Sequence, residues 1–339
     1  MDTGESVTTE ALEKEVQERC PFKESEEGVD SDDDESIGDD DDDDVQDEQE
    51  NDGGTLGRNL VAGSHGAGGT VGGPCDPTDY TYCSPQEKTT VYVPESDEVD
   101  ADVYPVAIAA HHLVPGNAAL GQSTLYDFLG PSGSGKLRDD GKERLRKDVR
   151  IGDKTYEIKK HIGYNINGCH NGVWLPGNYA IRKYKPKTKS RPAIPNTSPV
   201  GGQRGGLNWG DLGEKYADWK LNYVAAATKA ADGQFHDTHE FYSENVRDLL
   251  SKMAVVLQSH LKNGKCDCCS KEKIPPPFIL KNRLYACSKF LRGQVKGGVA
   301  RWKTPWFTSD YWGEVIFESK ETYKIFMKAR KAARTADSL

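Results

Sequence analysis

No apolar run in this 339-residue chain approaches the roughly 20 residues a bilayer-spanning helix needs, which excludes such a helix. The first ten residues, Met1–Glu10, have no cationic start leading into an apolar core, so no cleaved secretory signal is expected. Basic residues are scarce in the first 102 positions, with 5 Lys+Arg against 32 Asp+Glu. They are absent from Glu24–Asp52, where 18 acids include the unbroken run Asp39–Asp44. Such a segment cannot bury enough apolar area to offset its ordering entropy and is expected to be disordered. Residues 53–86 are Gly-rich, but no strand and helix frame Gly66–Gly73, so a flexible loop is expected there and not a nucleotide site. Regular cysteine spacing is also missing. Eight cysteines scattered through a chain without a leader read as reduced thiols or metal ligands before disulfides.

What is present is a charge split. The net charge of −10 is the sum of −27 over residues 1–102 and +17 over the rest, which holds 22 acids and 39 bases. A body that basic suits a polyanionic partner, although a merely soluble cationic surface is the plainer alternative. The length allows about two domains. Residues 8–19 read as a short amphipathic helix, and Thr89–Val93 and Asp102–Ala110 as strands. A helical piece is expected around Ala118–Phe128, a solvated charged helix over Lys136–Lys147 and a strand over Asp153–His161. The Pro-, Gly- and Lys/Arg-rich stretch Lys183–Gly210 is either a disordered insertion or a flap over nucleic acid. A long helix is expected from Asp237, which can cap it with Glu240 reaching back, to the stop at Asn263-Gly264.

Histidines cluster at the ends of these elements. The strand Asp102–Ala110 runs into His111-His112, and successive strand residues face opposite ways, so the two imidazoles suit two different tasks. His161 to Pro176 reads His-Ile-Gly-Tyr-Asn-Ile-Asn-Gly-Cys-His170-Asn171-Gly172-Val-Trp174-Leu-Pro. His236 and His239 lie where the long helix begins, with Tyr242 three residues on. A helix N-terminus disfavours imidazolium and keeps such histidines neutral, able to bind a metal. Taken singly, each has a bland alternative as a strand-end or capping-region polar residue.

In order, these motifs resemble the AHH family of bacterial toxin nucleases, within the wider HNH/endonuclease VII group. The resemblance rests on Ala110–His112, Gly163–Pro176 and His239–Tyr242 and covers roughly residues 103–262. It implies an α+β fold with a ββα-metal (HNH-like) nuclease core, preceded by a disordered acidic tail and followed by a small Cys/Trp-rich appendage. The expected division is an acidic leader over 1–54, a Gly-rich linker with a short strand over 55–102, the nuclease domain over 103–262 and a C-terminal extension over 263–339. It further implies that His112 is the general base and that His111, His239 and His236 hold a divalent ion, with Mg, Mn, Ni and Zn not distinguished. Asn171 would brace the loop behind His112 or touch the ion, and Tyr242 would orient a phosphate or hold the base. The roles of His161 and His170, as ligand or brace, stay open. The implied activity is endonucleolytic cleavage of DNA, or of RNA, by an antibacterial effector made in the producer's cytoplasm. It would be exported without a cleaved signal peptide to act in a target cell's cytoplasm, with a cognate immunity protein and an export-system component as partners and no membrane role. The rival readings are a nucleic-acid-binding module without catalysis and, less in keeping with the ordered motifs, a structural protein.

The last quarter adds Cys266-Asp-Cys268-Cys269 and, further on, Cys287. Those four thiols are either a structural zinc site or free buried thiols, since structural zinc ordinarily takes two Cys-x₂₋₄-Cys pairs. A Phe278–Phe290 helix and the Trp302, Trp306, Phe307, Tyr311, Trp312 cluster complete the appendage, whose bases Lys289, Arg292, Lys296, Arg301 and Lys303 would contact phosphates.

Overall fold

The computed structural model describes residues 9–23, 53–62, 89–93, 101–130, 137–139, 142–144, 148–178, 217–264, 266–296, 298–317 and 319–335. The acidic run 24–52, most of the Gly-rich stretch and the Lys183–Gly210 loop lie outside them. The fold mixes α and β, and the chain divides into two compact units, each assembled from three separate stretches.

Residues 1–80, 112–173 and 243–293 form the first unit. Helix α1 (Ala11–Glu18) buries Leu12, and Arg283 holds it through Glu15 at 2.7 Å. Helix α2 (Gly53–Ala62) replaces the loop expected at the start of the Gly-rich stretch. Its Leu56 and Leu60, one turn apart on one face, pack on Gly172, where a Cβ would come within 2.7 Å of Leu56 and 2.9 Å of Leu60. Those two leucines supply an apolar stripe that the glycine count of the segment conceals. Strands β3 (Leu137–Asp139) and β4 (Lys142–Arg144) pair antiparallel where a charged helix was expected. The sequence between them, Asp140-Gly141, is a strong two-residue hairpin signal that outweighs the helix formers on either side. A three-stranded sheet joins β5 (Val149–Ile151), β6 (Lys154–Ile158) and β8 (Lys273–Ile274). The piece around Ala118–Phe128 winds as 3₁₀ turns at Leu120–Gln122 and Thr124–Leu129. Helix α4 (Glu240–Asn263) buries Val246, Leu249, Leu250, Met253 and Leu257, one apolar side at helical spacing, while Phe241 is exposed. Helix α5 (Ile279–Val295) buries Leu280, Leu284, Cys287 and Leu291 at the same period.

The second unit takes residues 81–111, 174–242 and 294–339. Its four-stranded sheet runs β7 (Gly172–Gly177), β2 (Asp102–His112), β1 (Thr89–Val93), β9 (Arg334–Thr335). Helices α3 (Ala217–Ala231), α6 (Asp310–Phe317) and α7 (Lys320–Ala332) complete it. Val91, Val93, Tyr104 and Val106 share one core with Trp219, Tyr223, Trp302, Phe307, Trp312 and Phe326. Trp302 and Trp312, read from sequence as part of a C-terminal appendage, lie in this core with β1 and β2. Aromatic side chains bury large apolar areas, so these rings contribute much of the cover over the strand pair.

Candidate metal centre

Strand β2 carries His111 at its far end, where its imidazole is 3% exposed. His236 and His239 come to it from the segment that leads into α4, and all three lie in the second unit. The His111 ring lies 4.8 Å from that of His236 and 5.0 Å from that of His239, and the latter two are 5.0 Å apart, centroid to centroid. One ring nitrogen from each falls within 4.8 Å of the others. Strand β7 sets His236 in place, since its backbone N–H donates to Pro176 O at 2.7 Å. Asp237 is tied by its N–H to Thr308 O at 3.1 Å and by its carboxylate to the Asn178 amide at 3.2 Å.

Helix α4 opens at Glu240, one residue after His239, and Asp237 does not cap it. Asp310 does: its carboxylate accepts from the N–H groups of Glu240 at 2.8 Å and Phe241 at 3.2 Å. Its own N–H donates to Thr238 O at 2.8 Å. A capping carboxylate satisfies orphan donors of the first turn whether it comes from the preceding residue or from far along the chain. Burial pushes the Asp310 pKa up, while the two N–H donors and His239 oppose the rise. His239 is held below the ordinary imidazole range, chiefly by burial, against a backbone hydrogen bond and the carboxylates of Asp310 and Asp237. A neutral imidazole is the form that ligates a metal.

Tyr242 is fully buried, its ring 5.3 Å from His111, 6.0 Å from His239 and 6.4 Å from Trp306. It forms a wall of the histidine trio, where a phosphate arriving from solvent would not meet it.

His112, the next residue after His111, counts with the first unit. Its Nε2 lies 2.9 Å from Asn167 Oδ1. Asn167 is itself fixed by its N–H to Asn165 Oδ1 at 2.8 Å and by the Asn59 amide on its carbonyl at 2.9 Å. With an amide oxygen as partner, Nε2 carries the proton and the basic lone pair sits on Nδ1. Asn171 is wholly buried and engaged on every side. Its Oδ1 accepts from Val114 N–H at 2.8 Å and the Ser288 hydroxyl at 3.1 Å, and its amide donates to Val114 O at 3.0 Å and Ile166 O at 2.9 Å. Both oxygen lone pairs are used, so Asn171 is a brace for the chain leaving β2 and not a metal ligand.

Arg292, expected at a phosphate, instead gives its guanidinium to the carbonyls of Cys169, His170 and Gly172. It gathers the turn around Asn171. Lys296 likewise spends its ammonium on Ala231 O at 3.1 Å. His170 packs tilted against the Tyr285 ring at 4.4 Å and edge-on to the Tyr164 ring at 5.0 Å. His161 accepts the Gly163 N–H on Nδ1 at 3.1 Å. Cys169 is disulfide-bonded, against the expectation of reduced thiols.

Cys266, Cys268 and Cys269 do come together, but the fourth sulfur is Cys20 and not Cys287. Cys287 is fully buried on α5, its thiol pushed up to about 12 by burial. Sequence reasoning missed Cys20, His260 and Asn167. Only Asn167 had a visible signal, as the last residue of Gly163-Tyr-Asn-Ile-Asn167. No protein-family model, curated protein or solved structure matches this chain.

Proposed function

We propose that this chain is a metal-dependent endonuclease that hydrolyses phosphodiester bonds of DNA, with His111, His236 and His239 as its metal ligands. The observation that carries the reading is the trio itself: three imidazoles from a strand end and a helix approach, close enough to share one ion. The donor set fits. Three neutral nitrogens with the remaining positions left to water or substrate is the pattern of a catalytic centre, whereas a structural site is closed by four protein ligands. His111 comes from the end of β2, and His236 and His239 from the segment between the β7 contact at Pro176 and the start of α4, an arrangement of strand ends and a helix start that supports a ββα-metal reading.

When bound, the ion would supply Lewis acidity to the phosphate and template the departing oxygen. The chain's own residues do the rest. His112, joined to His111 by a peptide bond, takes the proton of the attacking water on Nδ1, a contribution on the order of 10²–10⁴ in rate. Asn167 fixes the tautomer that makes Nδ1 the base. Asn171 keeps the backbone after His112 from shifting, because its amide spans Val114 on both N–H and C=O. The excess of bases after residue 102 draws the polyanion to the site.

Incubating supercoiled plasmid with purified chain, with and without EDTA, tests the assignment. Nicking that stops with chelator and with His112→Ala supports it. Binding without nicking at any divalent ion would leave a nucleic-acid-binding module, and cleavage of RNA alone would make it an RNase. The effector role, with its export component and immunity protein, rests on the motif resemblance. Loss of viability when the chain is made inside a bacterium, relieved by His112→Ala, is its test.

A further inference from the structure

A second group of side chains that could hold a metal ion shares no residue with the histidine trio and lies wholly within the first unit. Cys20, His260, Cys266 and Cys269 each place one ligand atom within 4.8 Å of the others. The sulfurs of Cys20 and Cys266 are 3.1 Å apart, those of Cys20 and Cys269 3.7 Å, and those of Cys266 and Cys269 2.9 Å. Four ligands around zinc at about 2.3 Å require sulfur separations of about 3.8 Å, so small side-chain rotations would open the group to that geometry. We propose that Cys20, His260, Cys266 and Cys269 hold a structural zinc ion that fastens the N-terminal helix to the end of α4.

Local structure explains why these four converge. His260 lies in the last turn of α4. Gly264 ends that helix at φ +55°, its N–H returning to His260 O at 3.3 Å, and a left-handed residue there reverses the chain cheaply. The next residues then wind as a 3₁₀ turn over Asp267–Ser270, with Cys269 N–H on Cys266 O at 3.1 Å. Cys266-x₂-Cys269 is thus a knuckle of the spacing that zinc uses. Cys20 comes from the other end of the chain, 246 residues away, two positions past α1. Pro21 O accepts from Phe278 N–H at 3.0 Å, and buried Phe22 sits 6.3 Å from the His260 ring.

Cys268 is the fifth sulfur, 2.7 Å from Cys266. It is excluded from the ligand set because Cys266-x-Cys268 is too short a knuckle, and because Cys269 is buried where Cys268 is half-exposed. Three thiolates and one imidazole close the tetrahedron, so the ion has no open position and no catalytic role.

The need for such a fastening follows from α1. An eight-residue helix is too short to hold its form alone, and Leu12 and Phe22 are the wholly buried apolar side chains that the stretch 9–23 contributes. Metal-binding free energy becomes folding free energy where the site exists only in the folded chain.

The test uses the full-length chain in a His111→Ala background, so that the trio does not contribute metal. It should carry about one zinc per molecule through dialysis against a mild chelator. Cys20→Ser, Cys266→Ser, Cys269→Ser and His260→Ala should each release most of it, whereas Cys268→Ser and Cys287→Ser should keep it. Zinc removal should also raise amide hydrogen exchange across residues 9–23. If variants do not fold, cobalt(II) on the parent chain should give the spectrum of a tetrahedral site with three thiolates and one imidazole. Zinc retained in Cys20→Ser or His260→Ala, zinc lost in Cys268→Ser, disulfides among these cysteines by mass, or a metal-free parent chain that takes up no cobalt would each overturn the proposal. None of these readouts depends on cleavage, so the nuclease reading stands or falls separately.

Discussion

Replacing Asn171 by Ala removes four hydrogen bonds at a site with no solvent access. Ser288 can turn its hydroxyl elsewhere, but the N–H and C=O of Val114 and the C=O of Ile166 lose their partner in place. Each buried backbone group left unsatisfied costs about 1–3 kcal/mol, and three of them, with partial relief from a water in the space vacated, cost about 3–6 kcal/mol. That is a large share of the ~5–15 kcal/mol that holds an ordinary domain folded. Urea unfolding of the full chain, followed by the buried tryptophans and by amide exchange at Leu113 and Val114, measures it. The midpoint should drop steeply and the two amides should lose protection. Asn171→Asp should fall in between, because its carboxylate keeps the bonds from Val114 N–H and Ser288 and loses both donors. Metal affinity per folded molecule should not change. A variant within about 1 kcal/mol of the parent would refute the bracing role, and a lost ion at unchanged stability would return Asn171 to the metal.

Asn167→Ala should lower kcat for plasmid nicking by about 10–100-fold with little change in DNA affinity, since it frees the His112 ring to adopt the wrong tautomer; unchanged kcat would detach Asn167 from the chemistry. The depressed pKa of His239 means that the folded state resists its protonation, so stability and metal binding are both full above about pH 6.5, its unfolded value, and are lost as pH falls from there through the lowered folded value; titration calorimetry with Zn²⁺ between pH 5 and 7.5 checks it, and affinity rising on acidification would contradict the ligand assignment. Removing residues 24–52, which carry 18 acids and no base, leaves α1 and Cys20 in place and should tighten DNA binding most at low salt, because a tethered polyanion competes at mM effective concentration; equal affinities with and without the segment would show that it does not compete.

Features with a local cause were legible in the sequence. The apolar period of Val246–Leu257 implied α4, the apolar run Tyr104–Ala110 implied the strand that ends in His111-His112, and Thr89–Val93 read as a second strand, because such patterns are a property of local spacing. The histidines at the ends of these elements stood out because chain order already placed them at a strand end and a helix start. The charge split needed only counting. Tertiary structure decided the partners. Asp310, and not Asp237, caps α4, because an orphan N–H is satisfied by whichever carboxylate reaches it. Cys20 and His260 join Cys266 and Cys269 while Cys287 stays in the core, since sulfur proximity depends on how α1 packs and not on cysteine spacing. Arg292 gives its guanidinium to the carbonyls of Cys169, His170 and Gly172, partners fixed by where α5 packs and not by local sequence. Periodicity specifies which face of an element is apolar, but only the folded chain brings residues 246 positions apart to within 3.1 Å.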